Sequence, residues 1–326
     1  MKNKWLILLI TVAGMISLLL GCGKEESKGP ITEIRIGFQK GNTLNILKAR
    51  GTLEKKLSQQ GIKVKWSPFP MGSVLLEALN AGSIDFGHAS DGNSVFAQAG
   101  GKPIVYVAAE SPYPKGVAIV VPKNSPIQTI KDLKGKKVAV SKGGNQHYLL
   151  VKALEKEGLS FSDIQPVYYK DAAEARAAFD SKQIDALGLW DPYLAVLENE
   201  VQVRYLTDGQ GLTENRTYYF ASKTFAKEHP ELIKTILEEL NQADQWANSH
   251  PTEVASILSK ELKIDQKALE VASKRREYGV QRIDDQVIKV QQELADTFYQ
   301  LKLIPKGIQI NSVIEQKPKW LPDNIK

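Results

Sequence analysis

Cysteine is almost absent: the chain has 326 residues and a single cysteine, Cys22. One thiol excludes an internal disulfide framework. Histidine is scarce too, with four residues, at 88, 147, 229 and 250, and their spacing matches no metal site. His229 and His250 each precede a proline in a polar, helical stretch and read as surface residues. Basic residues number 43 against 37 acidic, a net +6 that never gathers into a block of like charge. No basic-aromatic stripe or binding signature accompanies that excess, which argues against nucleic acid. The mild surplus suits a protein that handles anions or sits near an anionic surface. Catalytic signatures are missing, with neither a Gly-x-Ser-x-Gly elbow nor a His-Glu-x-x-His pair. "SKGGNQHYLL" lacks the Gly-Lys-Ser/Thr that closes a Walker loop, and no Gly-x-Gly-x-x-Gly follows a strand.

What is present begins at the N-terminus. "MKNK" supplies two lysines, "WLILLITVAGMISLLLG" is an apolar run, and polar "GKEESKGP" follows Cys22. This is a secretory signal. The run approaches membrane-spanning length, but its end, "SLLLGC", resembles a bacterial lipobox. In such signals the cysteine is lipidated through a thioether and becomes the first mature residue. Residues 1–21 are then the signal peptide and 22–30 a short tether. The mature chain, Cys22–Lys326, is expected on the extracytoplasmic face of a bacterial membrane.

After residue 31 the hydrophobic period alternates between strand and helix. "TEIRIGF" is a strand, residues 43–57 a helix and "IKVKWSPF" a strand. Ser73 is placed to cap "VLLEALNAG". "IDFGHA", helix "NSVFAQAG" and strand "PIVYVAA" follow. Such alternation predicts an α/β fold with a mainly parallel sheet. "GVAIVVPKNSPI" breaks the rhythm, and the pattern then restarts through "KKVAV", a helix to residue 157, "IQPVYY", "AAEARAAF" and "IDALGLW". From residue 224 onward only amphipathic helix is expected, packed on the outside of a lobe. The restart is a repeat. "KGNTLNILKA" at Lys40 matches "KGGNQHYLLVKA" at Lys142, and Ile84-Asp85 matches Ile184-Asp185. We therefore expect two lobes of similar topology.

A Lys-Gly-Asn turn between strand and helix offers backbone N–H groups at a helix N-terminus, which is an anion site. Gln39 and Asn145 are placed to add amide donors, although an asparagine there also serves as an N-cap. His147 lies one turn into the second helix, facing either the ligand or the packing behind it. Gly72 and Ser73 start another helix, and Ser90, Asp91 and Asn93 a third, each just past a strand end where open α/β sheets bind ligands. Trp190 either walls the cleft or belongs to the core, and Asp191 is placed to cap the helix that follows.

Several of these stretches carry a family resemblance. "GFQKGNTLNILKARGTLEKKL", "LLEALNAGSIDFG", "DLKGKKVAVSKGGNQHYLLVKALEKEGL", "FSDIQPVYY" and "WDPYLA" closely resemble aliphatic-sulfonate-binding proteins of ABC importers. That group also contains taurine, nitrate and thiamine-precursor binders. The resemblance implies a bilobal periplasmic-binding-protein fold of type II, two α/β lobes joined by two hinge strands. It places the hinges near Val117–Val121 and Tyr218–Ser222. Lobe one is then 31–118 plus 219–326, and lobe two 119–218. It implies a ligand site at Gln39, Gly72, Ser73, Asp91, Asn93, Gly144, Asn145, His147 and Trp190. After the "SIDFG" strand this chain keeps Asp91 but reads Gly92, Asn93 and Ser94 where relatives differ, which bears on the ligand tail. The partners implied are an aliphatic sulfonate, a permease and an ATPase, with the membrane reached through the lipid, no cofactor, and a monomeric chain. The alternatives are another small anion, a pyrimidine, or an enzyme that kept the fold.

Overall fold

Alternation sets the first strand. Ile34 and Ile36 are fully buried while Glu33 is exposed, so "EIRIGF" forms β1 (Glu33–Phe38) with one face on the core. The computed structural model describes residues 30–325. Cys22 and the lipobox lie outside the described residues. Every element named here belongs to the unit Glu33–Lys326. After β1 come α1 (Thr43–Arg50), α2 (Thr52–Ser58), β2 (Lys63–Pro68), α3 (Gly72–Asn80), β3 (Phe86–Ser90), α4 (Asp91–Ala99) and β4 (Ile104–Glu110). The single helix expected over 43–57 is two, because Gly51 takes a left-handed conformation (φ +64°) and ends α1.

A second set follows: β5 (Val117–Pro122), β6 (Lys137–Val140), α5 (Asn145–Lys156), β7 (Gln165–Tyr168), α6 (Ala172–Asp180), β8 (Ala186–Trp190), α7 (Tyr193–Glu200) and β9 (Val203–Asp208). The chain then returns as β10 (Thr217–Ser222), α8 (Lys223–Glu228), α9 (Pro230–Ser249), α10 (Pro251–Leu262), α11 (Gln266–Lys274), β11 (Val280–Gln281) and α12 (Asp285–Gln300). The tail was expected to hold helix alone, yet β11 pairs with β4 at the edge of the first sheet.

The strands form two sheets, ordered β11-β4-β10-β3-β1-β2 and β7-β6-β8-β5-β9. The repeat read from sequence is topological: β1, β2 and β3 correspond to β6, β7 and β8. In each sheet the next strand inward, β10 or β5, runs antiparallel to both neighbours. Each arrives across one of the two crossings between sheets, at 111–116 and 209–216, which reverses its direction. Both sheets are therefore mixed rather than mainly parallel. In β5, Val117, Ile119 and Val121 pack with Leu149 and Leu150 of α5, while Ala118 and Val120 face Phe179 of α6 and Leu194 of α7. That is the two-residue period of a strand buried on both faces.

The Ile-Asp echo has a physical cause. Asp85 precedes β3 and its carboxylate accepts the Arg35 N–H of β1 at 2.8 Å, while its own N–H donates to the Arg35 carbonyl at 2.7 Å. Asp185 makes the same pair with Lys137 of β6, at 2.8 Å in both directions. Asp85 additionally takes the Arg35 guanidinium at 2.5 and 3.0 Å. Asp85→Ala should therefore lower the urea-unfolding free energy by about 1.5–3 kcal/mol, and Asp185→Ala by about 0.5–1.5 kcal/mol. Equal losses would show that the guanidinium adds nothing.

Candidate functional site

Four strand ends, those of β1, β3, β6 and β8, converge on one cavity of about 80 Å³. Gln39, Gly72, Asn93, Gly144, Asn145 and Trp190 line it, so six of the nine residues singled out in the sequence come together. Both Lys-Gly-Asn turns contribute, from opposite sheets.

The first turn is built from within. Gly41 adopts φ +83°, and the Gly41 and Asn42 N–H groups donate to Asn45 Oδ1 at 2.8 and 3.3 Å. Asn42 caps α1 through Leu44 N–H at 3.3 Å. Those donors are occupied, contrary to the expectation of free N–H groups in this turn. Gln39 is pinned by His88: its N–H donates to His88 Nε2 at 3.1 Å and its amide donates to the His88 carbonyl at 3.1 Å. Burial pushes the His88 pKa down to about 3, with the Arg276 charge adding to the effect, so the ring stays neutral and remains an acceptor.

In the second turn the Gly143 and Gly144 N–H groups are likewise taken, by His147 Nδ1 at 3.1 Å and the Ser141 carbonyl at 3.0 Å, and what stays open is the helix end. Gly144 occupies the N-cap position of α5 and supplies no side-chain cap. Asn145 instead donates its amide to Asn215 Oδ1 at 2.5 Å, and Asn215 donates to the Tyr113 carbonyl at 2.5 Å. Helix α3 starts at Gly72 with Met71 as its N-cap, again with no side-chain cap. Two uncapped helix N-termini, α3 from the first sheet and α5 from the second, thus open on one cavity.

Three expected residues lie outside it. Ser73 is exposed and does not cap α3, because the helix already begins at Gly72 and that hydroxyl turns outward. His147 is fully buried; its Nδ1 accepts the Gly143 N–H at 3.1 Å, and its ring packs against Phe161, Tyr168 and Phe298. Burial pushes its pKa down to about 4. Asp91 faces a separate cavity of about 600 Å³ beside Arg216 and Gln291. Its carboxylate accepts the Gly92 N–H at 2.7 Å, and burial pushes its pKa up to about 7.

The structure adds residues the sequence reading missed. Arg276, from the segment after α11, lines the cavity. It is 8% exposed, ion-paired with Glu110, and lies between the rings of Tyr113 and Tyr278, 5.1 and 5.0 Å from their centroids. Burial works against its charge. Its Nε has no partner among the described residues. Among the described residues Asp191 is the one carboxylate on the wall, and each of its oxygens accepts from a protein donor. It takes the Tyr113 hydroxyl, the Ala195 N–H at 3.1 Å and, at 3.6 Å, the Arg275 guanidinium. Burial pushes its pKa up to about 6 against the pull of Arg275. No sequence motif marks Arg276, Tyr113 or Asn215; each comes from an irregular segment.

The NMT1/THI5-like family matches residues 57–254. A protein of Escherichia coli (strain K12) named for aliphatic sulfonate binding is 37% identical over 312 residues, 95% of this chain and 96% of its own. The alkanesulfonate-binding protein SsuA from Xanthomonas axonopodis pv. citri, solved bound to MOPS, is 37% identical, with a TM-score of 0.83 over 87% of this chain and 98% of that one. The periplasmic aliphatic sulphonate binding protein SsuA from Escherichia coli is 36% identical, with a TM-score of 0.81 over 90% and 96%. All three are binding proteins by name, and the two-sheet fold of this chain is the bilobal one of these neighbours. Among the described residues no helix is long and apolar enough to cross a membrane. Matched by the family model over residues 57–254 and by a 37% identical relative over 95% of its length, the chain belongs to the NMT1/THI5-like family, among its aliphatic-sulfonate-binding proteins.

Proposed function

We propose that this protein is the extracytoplasmic substrate-binding subunit of an ABC importer, capturing aliphatic sulfonates between two lobes and handing them to a permease and its ATPase. On this reading the lobes divide at the crossings 111–116 and 209–216, whereas the segments the resemblance gives as hinges, Val117–Val121 and Tyr218–Ser222, lie in β5 and β10, interior strands of the two sheets. One observation carries the reading: two uncapped helix N-termini, one from each lobe, share a small cavity with a buried guanidinium. A sulfonate is fully ionised at neutral pH and presents only acceptor oxygens, so it needs donors and no acceptor. Gln39, Asn145, the helix N-termini and Arg276 supply donors. The donors already on Asp191, from Tyr113, Ala195 and Arg275, offset the repulsion its charge would exert on such an anion. Cys22 carries the lipid that anchors the monomeric chain to the membrane.

Calorimetry of the mature chain with ethanesulfonate should give clear binding, and Arg276→Lys should weaken it about tenfold or more, since a charge-assisted hydrogen bond is worth about 1.5–3 kcal/mol. Binding of nitrate or a pyrimidine, with no response to ethanesulfonate, would move the protein elsewhere in its family. Metabolic labelling with a palmitate analogue should mark the wild-type chain and not Cys22→Ala; an unlabelled wild type, or equal labelling of the variant, would refute the lipid anchor.

The site also requires a neutral His88. Its folded pKa of about 3 lies below the ordinary 6.5. As pH falls, the unfolded chain takes up this proton first, so the contribution is intact above pH 6.5 and is lost from there down to about pH 3. The expected loss is about 1.4 kcal/mol per pH unit at most. His88→Gln should flatten the acid limb of stability measured by urea unfolding between pH 6.5 and 4; an unchanged limb would place the ring's titration elsewhere.

A further inference from the structure

We infer that Arg275 couples anion capture to lobe closure: it crosses from the first lobe to Asp191 on the second, so the cavity wall tolerates an anion only once the lobes are shut. The inference rests on the proposed sulfonate-binding function and goes beyond it by naming the residue that links occupancy to closure.

Arg275 and Arg276 leave the same turn, at the end of α11, and serve opposite lobes. Arg276 stays with the first, paired with Glu110. Arg275 reaches the second at three points. Its guanidinium donates to Glu198 of α7 at 2.6 Å and to the Tyr205 hydroxyl of β9 at 3.1 Å, and its Nε lies 3.6 Å from Asp191 Oδ2. Burial works against its charge, yet Asp191 and then Glu198 hold its pKa above the ordinary value, so it stays a cation. Around it the seam is made of small side chains. Ala195 of α7 meets Ala268 and Ala272 of α11, and the Asn199 amide donates to Asp265 at 3.3 Å.

Asp191 is what makes this contact matter to the ligand. Its side chain is 4% exposed and stands on the cavity wall. A buried carboxylate beside an anion repels it, and more strongly than in water. Three groups offset that charge, and they differ in origin. The Ala195 N–H belongs to the same lobe and accompanies Asp191 in any arrangement of the two. The Tyr113 hydroxyl comes from the crossing 111–116 and is neutral; it also lies 2.9 Å from the Ala272 carbonyl oxygen. Arg275 is the one full positive charge of the three, and it comes from the other lobe. When α11 parts from α7, Asp191 keeps its charge and loses its cation. An anion in the cavity therefore favours the shut state, because only there is the opposing carboxylate answered. That difference in affinity between two states is what a ligand needs to drive closure.

The test is a double-substitution cycle in the mature chain, read by calorimetry with ethanesulfonate at pH 8, above the value of about 6 to which burial raises the Asp191 pKa. Arg275→Gln should weaken binding about tenfold or more, chiefly through a faster off-rate in stopped-flow displacement. Adding Asp191→Asn to that variant should then tighten binding about threefold or more, since the unanswered charge is gone. A seam that merely held the lobes together would gain nothing from losing a carboxylate, so an Arg275→Gln chain without this recovery overturns the inference. Glu198→Gln removes only the outer anchor of Arg275 and should cost about threefold at most. A loss equal to that of Arg275→Gln would make Arg275 a plain latch and overturn the inference as well. Should Arg275→Gln not fold, Arg275→Met takes its place in the cycle, and the Glu198→Gln result stands by itself. If the wild type binds nitrate and no sulfonate, the proposed function fails, while the same cycle run with nitrate still decides on Arg275. A wild type that binds no anion overturns both.

Discussion

The ion pair between Glu110 and Arg276 is what the ligand side of the first lobe is built around. Glu110 ends β4 and is 1% exposed. Its carboxylate receives the Thr43 hydroxyl of α1 at 2.6 Å, the Tyr219 hydroxyl of β10 and the Arg276 guanidinium. Its carbonyl receives Arg216 at 2.8 Å. One carboxylate therefore ties together the helix behind the first turn, the returning strand and the segment after α11. Removing either partner strands a buried charge, which typically costs several kcal/mol, so both are held by the fold before any ligand arrives. The cation on the cavity wall is thus prepaid: an incoming anion meets a guanidinium already desolvated and fixed between two rings.

That arrangement explains which parts of the site were legible in the sequence. The repeat could be read because it follows from a local rule applied twice. An Asp must open β3 and β8 to take the N–H of the neighbouring strand, and a Gly-bearing turn must follow β1 and β6. Gln39, Asn145 and Trp190 sit at those repeated strand ends and were found there. Arg276, Tyr113 and Asn215 come from the crossings and the tail, where no period places a residue. Only tertiary packing decides that they meet. The misplaced residues have an equally local cause. Ser73 looked like a cap because serine usually is one, but Met71 takes that role and the helix is already under way at Gly72. His147 could have faced either way along α5; the apolar seam with Phe298 claimed it.

The two similar turns are not used alike. In the first, Asn42 and Asn45 satisfy the turn's own N–H groups, so its contribution to the cavity is Gln39, which His88 aims. In the second, glycine stands at the cap position, the helix end stays open and Asn145 bridges to Asn215 on the returning segment. Similar sequence thus gives one capped helix end and one open one. The division suits a binder that closes. On the proposed reading, the side aimed by His88 positions the ligand, and the open helix end gains most when closure excludes water, because a helix terminus acts more strongly on a charge in a dry site.

On the proposed reading, the wall must also keep its carboxylate from repelling an anionic head group. Asp191 is the one carboxylate lining the cavity among the described residues, and a bare carboxylate there would repel any anion. Tyr113, Ala195 and Arg275 occupy its oxygens instead. A head group with acceptors alone loses nothing by leaving them in place. The contacts that let Asp191 sit beside an anion therefore leave the uncapped helix ends, the amides and Arg276, rather than this carboxylate, to meet an ionised head group.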